Sequence, residues 1–215
     1  MKIKVFEGFA GYGGASFGLK RLKENLPEFE YEVVGYSEFD KYASALFDAN
    51  HKDKNGNTLK NWGDITQINP DELPDFDMFM GGFPCQPFSS AGMQLGEDDP
   101  YGRGGMLGHI IRICKVKKPK YLFLENVKGF THGKFQPIHD QLVKDLLEMG
   151  YGDNPLAKAV LNSKDYGIPQ NRERLWMFAR LGGLPDNFSM VPEKIDSTLK
   201  MADFLDYNPE RKLYL

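Results

Sequence analysis

The sequence predicts an α/β domain with a mainly parallel sheet and helices on both faces. Three observations lead to this fold class. Short apolar runs alternate with longer segments of helical period, glycine-rich turns follow several of the runs, and we find no internal repeat, low-complexity tract or long linker. Of 215 residues, 41% are hydrophobic and 13% aromatic, which is enough to form the core of one good-sized domain.

The elements predicted in the first half follow a β-α-β-α-β order. A strand covers 3–9, a helix 15–25, a second strand 31–36, a second helix 40–50 and a third strand 76–80. We expect Phe17, Leu19 and Leu22 to pack the first helix inward, and Asp40 to cap the second helix. The segment 51–61 contains Asn-Gly-Asn and predicts a surface loop.

The second half continues the alternation. It predicts a helix over 107–116, a buried strand over 121–125, an amphipathic helix over 137–149 and two strands over 158–162 and 175–179. In such sheets ligands bind beyond the carboxyl ends of the strands. The segments after Phe9, Met80 and Leu124 all begin at predicted strand ends, so we expect them to meet in one crevice.

Composition excludes several classes of protein. Two cysteines are too few for a disulfide scaffold, and the four histidines show no metal-ligand spacing, so we expect no metal site. No apolar run approaches the roughly 20 residues that span a bilayer, and the start resembles no signal peptide. We therefore expect a soluble, cytoplasmic protein with no membrane partner.

Charge is distributed unevenly along the chain. The net charge is −3, but residues 1–102 carry a net −8, residues 103–180 a net +7 and residues 181–215 a net −2. The basic segment indicates either a solvated face or a site for a polyanion, and charge alone leaves both open.

A glycine-rich turn, Phe9-Ala10-Gly11-Tyr12-Gly13-Gly14, separates the first strand from the first helix. Such a turn lets a ligand approach the backbone N–H groups at the start of the helix, or it serves only close strand-to-helix packing. The turn has no Lys-Ser/Thr pair, and residues 1–49 hold more acids than bases. A nucleotide-like cofactor bound here therefore need not carry a pyrophosphate.

Two acidic positions follow this turn. Glu38 closes the second strand, where an acid usually accepts hydrogen bonds from ribose hydroxyls, and Phe39 beside it could stack on a purine. Asp64, followed by Ile65, offers a carboxylate to an exocyclic amine. Each acid taken alone is more simply an exposed surface residue.

Cys85 lies between two prolines, Pro84 and Pro87, in a loop directly after the third strand and Gly82. A rigid, exposed loop suits a thiolate nucleophile. Cys114, by contrast, falls within an apolar helical run and is expected to be structural.

The end of the strand over 121–125 carries Glu125 and Asn126, and Arg172 and Arg174 precede the last predicted strand. A carboxyl group at this place can act as a general acid. Arginines bind phosphates or planar base edges, although a structural ion pair with Glu125 is an equal alternative.

These motifs, in this order, resemble the cytosine carbon-5 DNA methyltransferases over residues 3 to about 179. The shared motifs are the Phe-x-Gly-x-Gly-Gly turn, Glu38 with its aromatic neighbour, Gly63-Asp64-Ile65, Pro84-Cys85-Gln86, Arg103-Gly104 with Met106-Leu107, Glu125-Asn126-Val127 and Gln170-x-Arg172-x-Arg174. Glu7 stands where the family commonly has an acid two residues before the phenylalanine.

The resemblance implies a Rossmann-like methyltransferase fold, S-adenosylmethionine as cofactor with S-adenosylhomocysteine as product, and double-stranded DNA from which the target cytosine is flipped. It implies that Cys85 attacks carbon 6 and that Glu125 protonates or hydrogen-bonds ring nitrogen 3. Asn126 and Arg174 would hold the base and Glu125, and Arg172 would support the loop or a phosphate. The implied cofactor-binding residues are Phe9, Ala10, Gly11, Gly13, Gly14, Glu38, Phe39, Asp64, Ile65, Gly82, Pro84 and Leu107.

The resemblance also divides the chain into a catalytic domain over 1–180 and a C-terminal extension over 181–215. Residues 197–205 resemble the short helix that precedes the family's target-recognition domain, and we expect that domain and two later motifs to be absent. The chain would then be one subunit of a two-polypeptide enzyme, or a fragment or degenerate copy. A catalytically silent binding or regulatory protein, and more remotely a nicotinamide-dependent oxidoreductase, are the rival functions.

Overall fold

The computed structural model describes residues 2–84 and 105–204, and these form ten main elements. The strands are β1 Lys2–Gly8, β2 Glu30–Ser37, β3 Met78–Gly82, β4 Tyr121–Val127, β5 Ala157–Asn162 and β6 Glu173–Arg180. The helices are α1 Gly14–Asn25, α2 Lys41–Asn50, α3 Met106–Lys117 and α4 Gln136–Glu148. Every strand and helix predicted within residues 1–180 is present, and the predicted and observed ends coincide or differ by one or two residues.

One six-stranded sheet organises the chain, in the order β2-β1-β3-β4-β6-β5. β1 pairs in parallel with β2 and β3, and β3 pairs in parallel with β4. β6 runs antiparallel to both of its neighbours, β4 and β5. The sheet is therefore mainly parallel, as predicted.

Consecutive strand residues point to opposite faces, and both faces carry apolar clusters. Phe6 and Phe79 lie in a large cluster with residues of α3 and α4. Val5 and Met80 lie in a second cluster with Leu19 of α1. Helices thus cover the sheet on both faces, which confirms the predicted architecture.

The inward face of α1 differs from the prediction. Leu19 is buried together with Ser16, whereas Phe17 is 38% and Leu22 42% exposed. With 3.6 residues per turn, the direction midway between Ser16 and Leu19 lies roughly 130° from Phe17 and 90° from Leu22. The expectation that Phe17 and Leu22 pack inward was wrong for this reason.

Asp40 caps α2 as predicted. Its Oδ1 accepts hydrogen bonds from the backbone N–H groups of Tyr42 and Ala43, at 2.9 and 2.8 Å. These bonds satisfy two of the four N–H groups that the first turn of a helix leaves unpaired. The cap fixes the start of α2 immediately after Glu38 and Phe39.

After β6 the chain folds back across the sheet. Phe188 stacks on Phe178 of β6, with ring centroids 5.3 Å apart, and Ile195 pairs with Tyr166 in a short parallel bridge. A short 3₁₀ turn covers Met201–Phe204, inside the segment 197–205 expected to be helical. In the described residues no helix has the length and apolarity needed to cross a membrane.

Candidate active site

A cavity of about 640 Å³ opens at the carboxyl ends of β1, β3 and β4. It is bounded by the glycine-rich turn and the start of α1 on one side, and by the connection between β5 and β6 on the other. The predicted site residues that line it are Phe9, Ala10, Gly11, Gly14, Gly82, Glu125, Arg172 and Arg174. The structure thus brings the predicted glycine turn and the predicted catalytic carboxylate into one crevice.

The glycine-rich turn leaves open space beside the cavity. Gly11 and Gly13 have positive φ angles of 55° and 92°, a conformation that other residues rarely adopt. A Cβ atom built on Gly14 or Gly18 would meet no atom within 4 Å. Side chains at these places would project into the free space, so the sequence here keeps room for a bound group.

The positive end of α1 is already matched by a carboxylate. Glu7 is 2% exposed, and its side-chain oxygens accept hydrogen bonds from the backbone N–H groups of Ala15 and Ser16, at 3.0 and 3.1 Å, and from the Ser16 hydroxyl. Burial raises the pKa of Glu7 above its ordinary value. A helix terminus capped in this way is poorly suited to a second anion such as a pyrophosphate.

Glu38 contacts the turn directly. Its Oε2 accepts a hydrogen bond from the Gly11 N–H at 2.8 Å, and its Oε1 accepts one from the Asp40 N–H at 2.9 Å. Phe39 is 81% exposed beside it. The carboxylate therefore lies against the turn, with the aromatic ring free at the surface.

Asn61, which sequence reasoning missed, joins the two predicted acidic segments. Its Oδ1 accepts hydrogen bonds from the N–H groups of Glu38 and Gly63, at 3.1 and 2.9 Å. Its Nδ2 donates to the Glu38 carbonyl and the Ser44 hydroxyl, both at 2.9 Å. Glu38 and the Gly63-Asp64 turn are thereby held next to each other, and no motif in the sequence signals this.

The other predicted cofactor-binding residues lie outside the cavity lining. Asp64 is exposed, and its Oδ1 accepts a hydrogen bond from the Thr66 N–H at 2.9 Å. Ile65 and Leu107 are 3% and 2% exposed and belong to the main core cluster. Gly13 is buried behind the turn. Their roles toward a cofactor stay predictions.

Glu125 and Arg174 form an ion pair inside the cavity. Arg174 Nε lies 2.9 Å from Glu125 Oε1, and the two side chains are 26% and 23% exposed. Gly82 pairs with Glu125 in the sheet, and a Cβ atom on Gly82 would lie 2.9 Å from Glu125 Oε2. Because residue 82 has no side chain, the Glu125 carboxylate has room to lie next to β3.

Asn126 supports the loop that leads to Cys85. It is 1% exposed, and its Nδ2 donates a hydrogen bond to the carbonyl oxygen of Phe83 at 3.1 Å. Pro84 follows, exposed at the surface, and Cys85 itself lies outside the described residues. Cys114 is fully buried in α3, and burial raises the pKa of its thiol well above the ordinary value.

The connection between β5 and β6 brings further residues to the cavity. The backbone N–H of Arg172 donates to Asn162 Oδ1 at 3.1 Å, and the Arg172 side chain is exposed. Tyr166 and Trp176 also line the cavity, and sequence reasoning singled out neither. In the described ranges, 2–84 and 105–204, no group of three or more His, Cys, Asp or Glu side chains could hold a metal ion.

The family model of the C-5 cytosine-specific DNA methylases matches residues 3–213. The chain belongs to this family. The resemblance expected from the motifs is confirmed, although the residue roles that it implies are not tested by the match.

Several relatives in this family are Type II methyltransferases. The Type II methyltransferase M2.ScrFI of Lactococcus lactis subsp. cremoris is 33% identical over 99% of this chain and 70% of its own length. M.NlaX of Neisseria lactamica is 36% identical over 98% of this chain and 62% of its own length, and M.BanI of Aneurinibacillus aneurinilyticus 39% over 86% and 40%. The chain thus spans between 40% and 70% of these relatives.

A solved structure gives the same fold. The S. pombe Dnmt2 methyltransferase superposes with a TM-score of 0.65 over 87% of this chain and 51% of its own, at 23% sequence identity. The Rossmann-like methyltransferase fold implied by the motifs is therefore confirmed for the C-5 methylase domain described above.

Proposed function

We propose that this chain carries the catalytic part of an S-adenosylmethionine-dependent DNA cytosine-5 methyltransferase. The observation that supports it most directly is the cavity in which the Glu125–Arg174 pair faces the glycine-rich turn. A cofactor turn and a carboxylate fixed by an arginine are two of the parts that methyl transfer to a polarised base requires. Double-stranded DNA is the proposed substrate, and the cytoplasm is the proposed location.

The residues around the turn fit a cationic cofactor. Glu7 and Glu38 place two carboxylates at the turn, the glycines leave open space, and none of the cavity-lining residues of the turn is basic. S-adenosylmethionine would supply an electrophilic methyl group there through its sulfonium. Glu38 and Phe39 would hold its ribose and purine, and Asp64 the exocyclic amine.

The protein's own residues would act on the cytosine. The Cys85 thiolate adds to carbon 6 and forms a carbon–sulfur bond, while Glu125 delivers a proton to ring nitrogen 3. Carbon 5 thereby becomes nucleophilic and accepts the methyl group. A base then removes the carbon-5 proton, ring nitrogen 3 returns its proton to Glu125, and the carbon–sulfur bond breaks to release Cys85 and restore the ring.

Arg174 and Asn126 would position the Glu125 carboxylate and the Cys85 loop. Arg174 holds one oxygen of Glu125 and leaves Oε2 for the base, and Asn126 holds the backbone two residues before Cys85. Arg172 lines the same cavity and would contact a phosphate. A second polypeptide with a target-recognition domain is the proposed partner, because selection of a DNA sequence requires contacts to base edges in the grooves.

Two measurements test this function. Calorimetry is expected to show binding of S-adenosylhomocysteine and none of NAD, since the capped α1 terminus disfavours a pyrophosphate. A DNA duplex with 5-fluorocytosine, incubated with S-adenosylmethionine, is expected to form a covalent adduct with the chain and its partner, because fluorine cannot leave carbon 5 as a proton does. Cys85→Ser should abolish the adduct, and Cys114→Ser should preserve it.

The same measurements separate the rival functions. Cofactor binding without any adduct, in the presence of a partner polypeptide, would favour a catalytically silent binding protein. Binding of NAD in place of S-adenosylhomocysteine would refute the proposal.

A further inference from the structure

His51, at the end of α2, contacts the glycine-rich turn at a distance of about forty residues along the chain. The side chain is 8% exposed and lies between two aromatic rings. Its ring is edge-on to Phe17 of α1, with centroids 4.5 Å apart, and tilted against Phe47 of α2, with centroids 4.7 Å apart. The imidazole thus fills the space where α2 meets the start of α1.

The imidazole forms one polar contact with the turn. His51 Nε2 lies 3.1 Å from the carbonyl oxygen of Tyr12. A carbonyl oxygen only accepts hydrogen bonds, so Nε2 must carry the proton and donate it. Burial lowers the pKa of His51 below its ordinary value, which favours the neutral ring.

The same nitrogen occupies the space beside Gly13. A Cβ atom on Gly13 would lie 2.1 Å from His51 Nε2, closer than any real contact. Gly13 also has a φ of 92° and precedes the first residue of α1. Glycine is required here by the backbone conformation and, independently, by the imidazole.

One continuous segment, residues 37–51, forms hydrogen bonds to three consecutive residues of the turn. The Ala10 N–H donates to the Ser37 carbonyl at 3.1 Å, and the Gly11 N–H donates to Glu38 Oε2 at 2.8 Å. The Tyr12 carbonyl then accepts the bond from His51. The third of these contacts is the one that comes from the far end of α2.

We infer that His51 is a positioning residue for the glycine-rich turn, acting through the Tyr12 carbonyl and the space beside Gly13. An apolar side chain of similar size would fill the gap between the helices but would leave the Tyr12 carbonyl oxygen without its hydrogen-bond donor. This inference rests on the proposed function, since the turn is taken as the cofactor-binding segment. His51 touches neither the cofactor nor the base.

The test compares His51→Leu with His51→Gln. Leucine fills the space without a donor, whereas the glutamine amide places an N–H group near the position of Nε2. We expect His51→Leu to weaken S-adenosylhomocysteine binding roughly fivefold, which is the value of one neutral hydrogen bond. We also expect faster amide hydrogen exchange in the peptide covering residues 10–17 of the ligand-free protein. His51→Gln should stay within about twofold of wild type in both measurements.

A matched control separates positioning from general stability. Leu142 of α4 is fully buried in the large core cluster that contains Phe6 and Phe79. Leu142→Ala should lower the melting temperature without changing S-adenosylhomocysteine affinity or amide exchange over residues 10–17. Wild-type affinity and exchange in His51→Leu would overturn the inference. So would a glutamine variant as defective as the leucine variant, and this variant decides the question if His51→Leu does not fold. If the wild-type chain binds no S-adenosylhomocysteine, the proposed function fails, but the exchange comparison still tests His51.

Discussion

Replacing Gly82 by alanine is expected to separate the position of the Glu125 carboxylate, the proposed proton donor, from the stability of the fold. The new Cβ would lie 2.9 Å from Glu125 Oε2 and 3.7 Å from the Cβ and Cδ atoms of Glu125. The closest atom is the end of a flexible side chain and not backbone. The carboxylate would therefore move away while the strand stays in place.

The expected changes in the free energy of unfolding and in kcat follow from this geometry. Oε2 must retreat by about 0.5 Å to reach ordinary van der Waals separation, which disturbs the 2.9 Å contact between Glu125 and Arg174. A partly exposed ion pair contributes about 0.2–1 kcal/mol, and alanine regains about 0.5–1 kcal/mol over glycine in a strand. The free energy of unfolding should stay within about 1 kcal/mol of wild type. Misplacement of a proton donor should lower kcat roughly 10- to 100-fold.

The assay is transfer of tritiated methyl groups to unmethylated plasmid DNA by the chain together with the proposed partner polypeptide, combined with urea unfolding of each variant. Gly129→Ala is the matched control, because a Cβ there would meet no atom within 4 Å and lies outside the cavity lining. Gly81→Ala is the opposite case, since its Cβ would lie 2.6 Å from the Gly8 carbonyl oxygen and should destabilise the sheet.

Three outcomes are thus expected: lost activity with kept stability at Gly82, lost stability at Gly81, and neither loss at Gly129. A Gly82→Ala variant with wild-type stability and a kcat within about twofold of wild type would refute the reasoning that the exact place of Glu125 matters.

Four further predictions follow from the same structure. Iodoacetamide should label Cys85 and spare the buried Cys114, and peptide mass mapping that finds Cys114 labelled first would count against Cys85 as the reactive thiol. Asn126→Ala should cost about 1–3 kcal/mol in urea unfolding, because it leaves the Phe83 carbonyl without its donor; an unchanged midpoint would contradict this. Burial raises the pKa of Glu7, so its contribution to stability is fully present below the unfolded pKa near 4.5 and is lost as pH rises through the folded pKa. The free energy of unfolding of wild type relative to Glu7→Gln should therefore fall from pH 4 to pH 8, and a rise would contradict this sign. The 215-residue chain alone should methylate DNA poorly and retain it only at low salt, and a polypeptide with a target-recognition domain should restore transfer; robust, sequence-specific methylation by the chain alone would exclude the need for a partner.

The order of elements could be predicted because periodicity and turn chemistry are local properties of the sequence. Asp40 before an amphipathic segment predicted the start of α2, and the cap is present. The face of α1 that packs inward was not predicted correctly. Phe17 is apolar and was expected to be buried, yet it faces α2 and the His51 ring, because the inward face of α1 is centred between Ser16 and Leu19.

The candidate site shows the same division. The motifs predicted which segments meet, since each follows a parallel strand and the carboxyl ends of those strands lie at one edge of the sheet. The sequence left open whether an arginine pairs with Glu125, and only the tertiary structure decided for Arg174, at 2.9 Å. Pairing of this kind depends on the register of β4 against β6, which is a non-local property.

The fold class, the family and the types of residue at the crevice could be predicted because each depends on short, contiguous motifs. The contacts that hold those residues became known from the folded chain: Glu7 caps α1, Asn61 binds both Glu38 and Gly63, and His51 contacts Tyr12. Apart from the bond between Asn61 and Gly63, these contacts join residues 8 to 39 positions apart along the chain. A hydrogen bond depends on distance and direction in space, and no spacing along the chain encodes either.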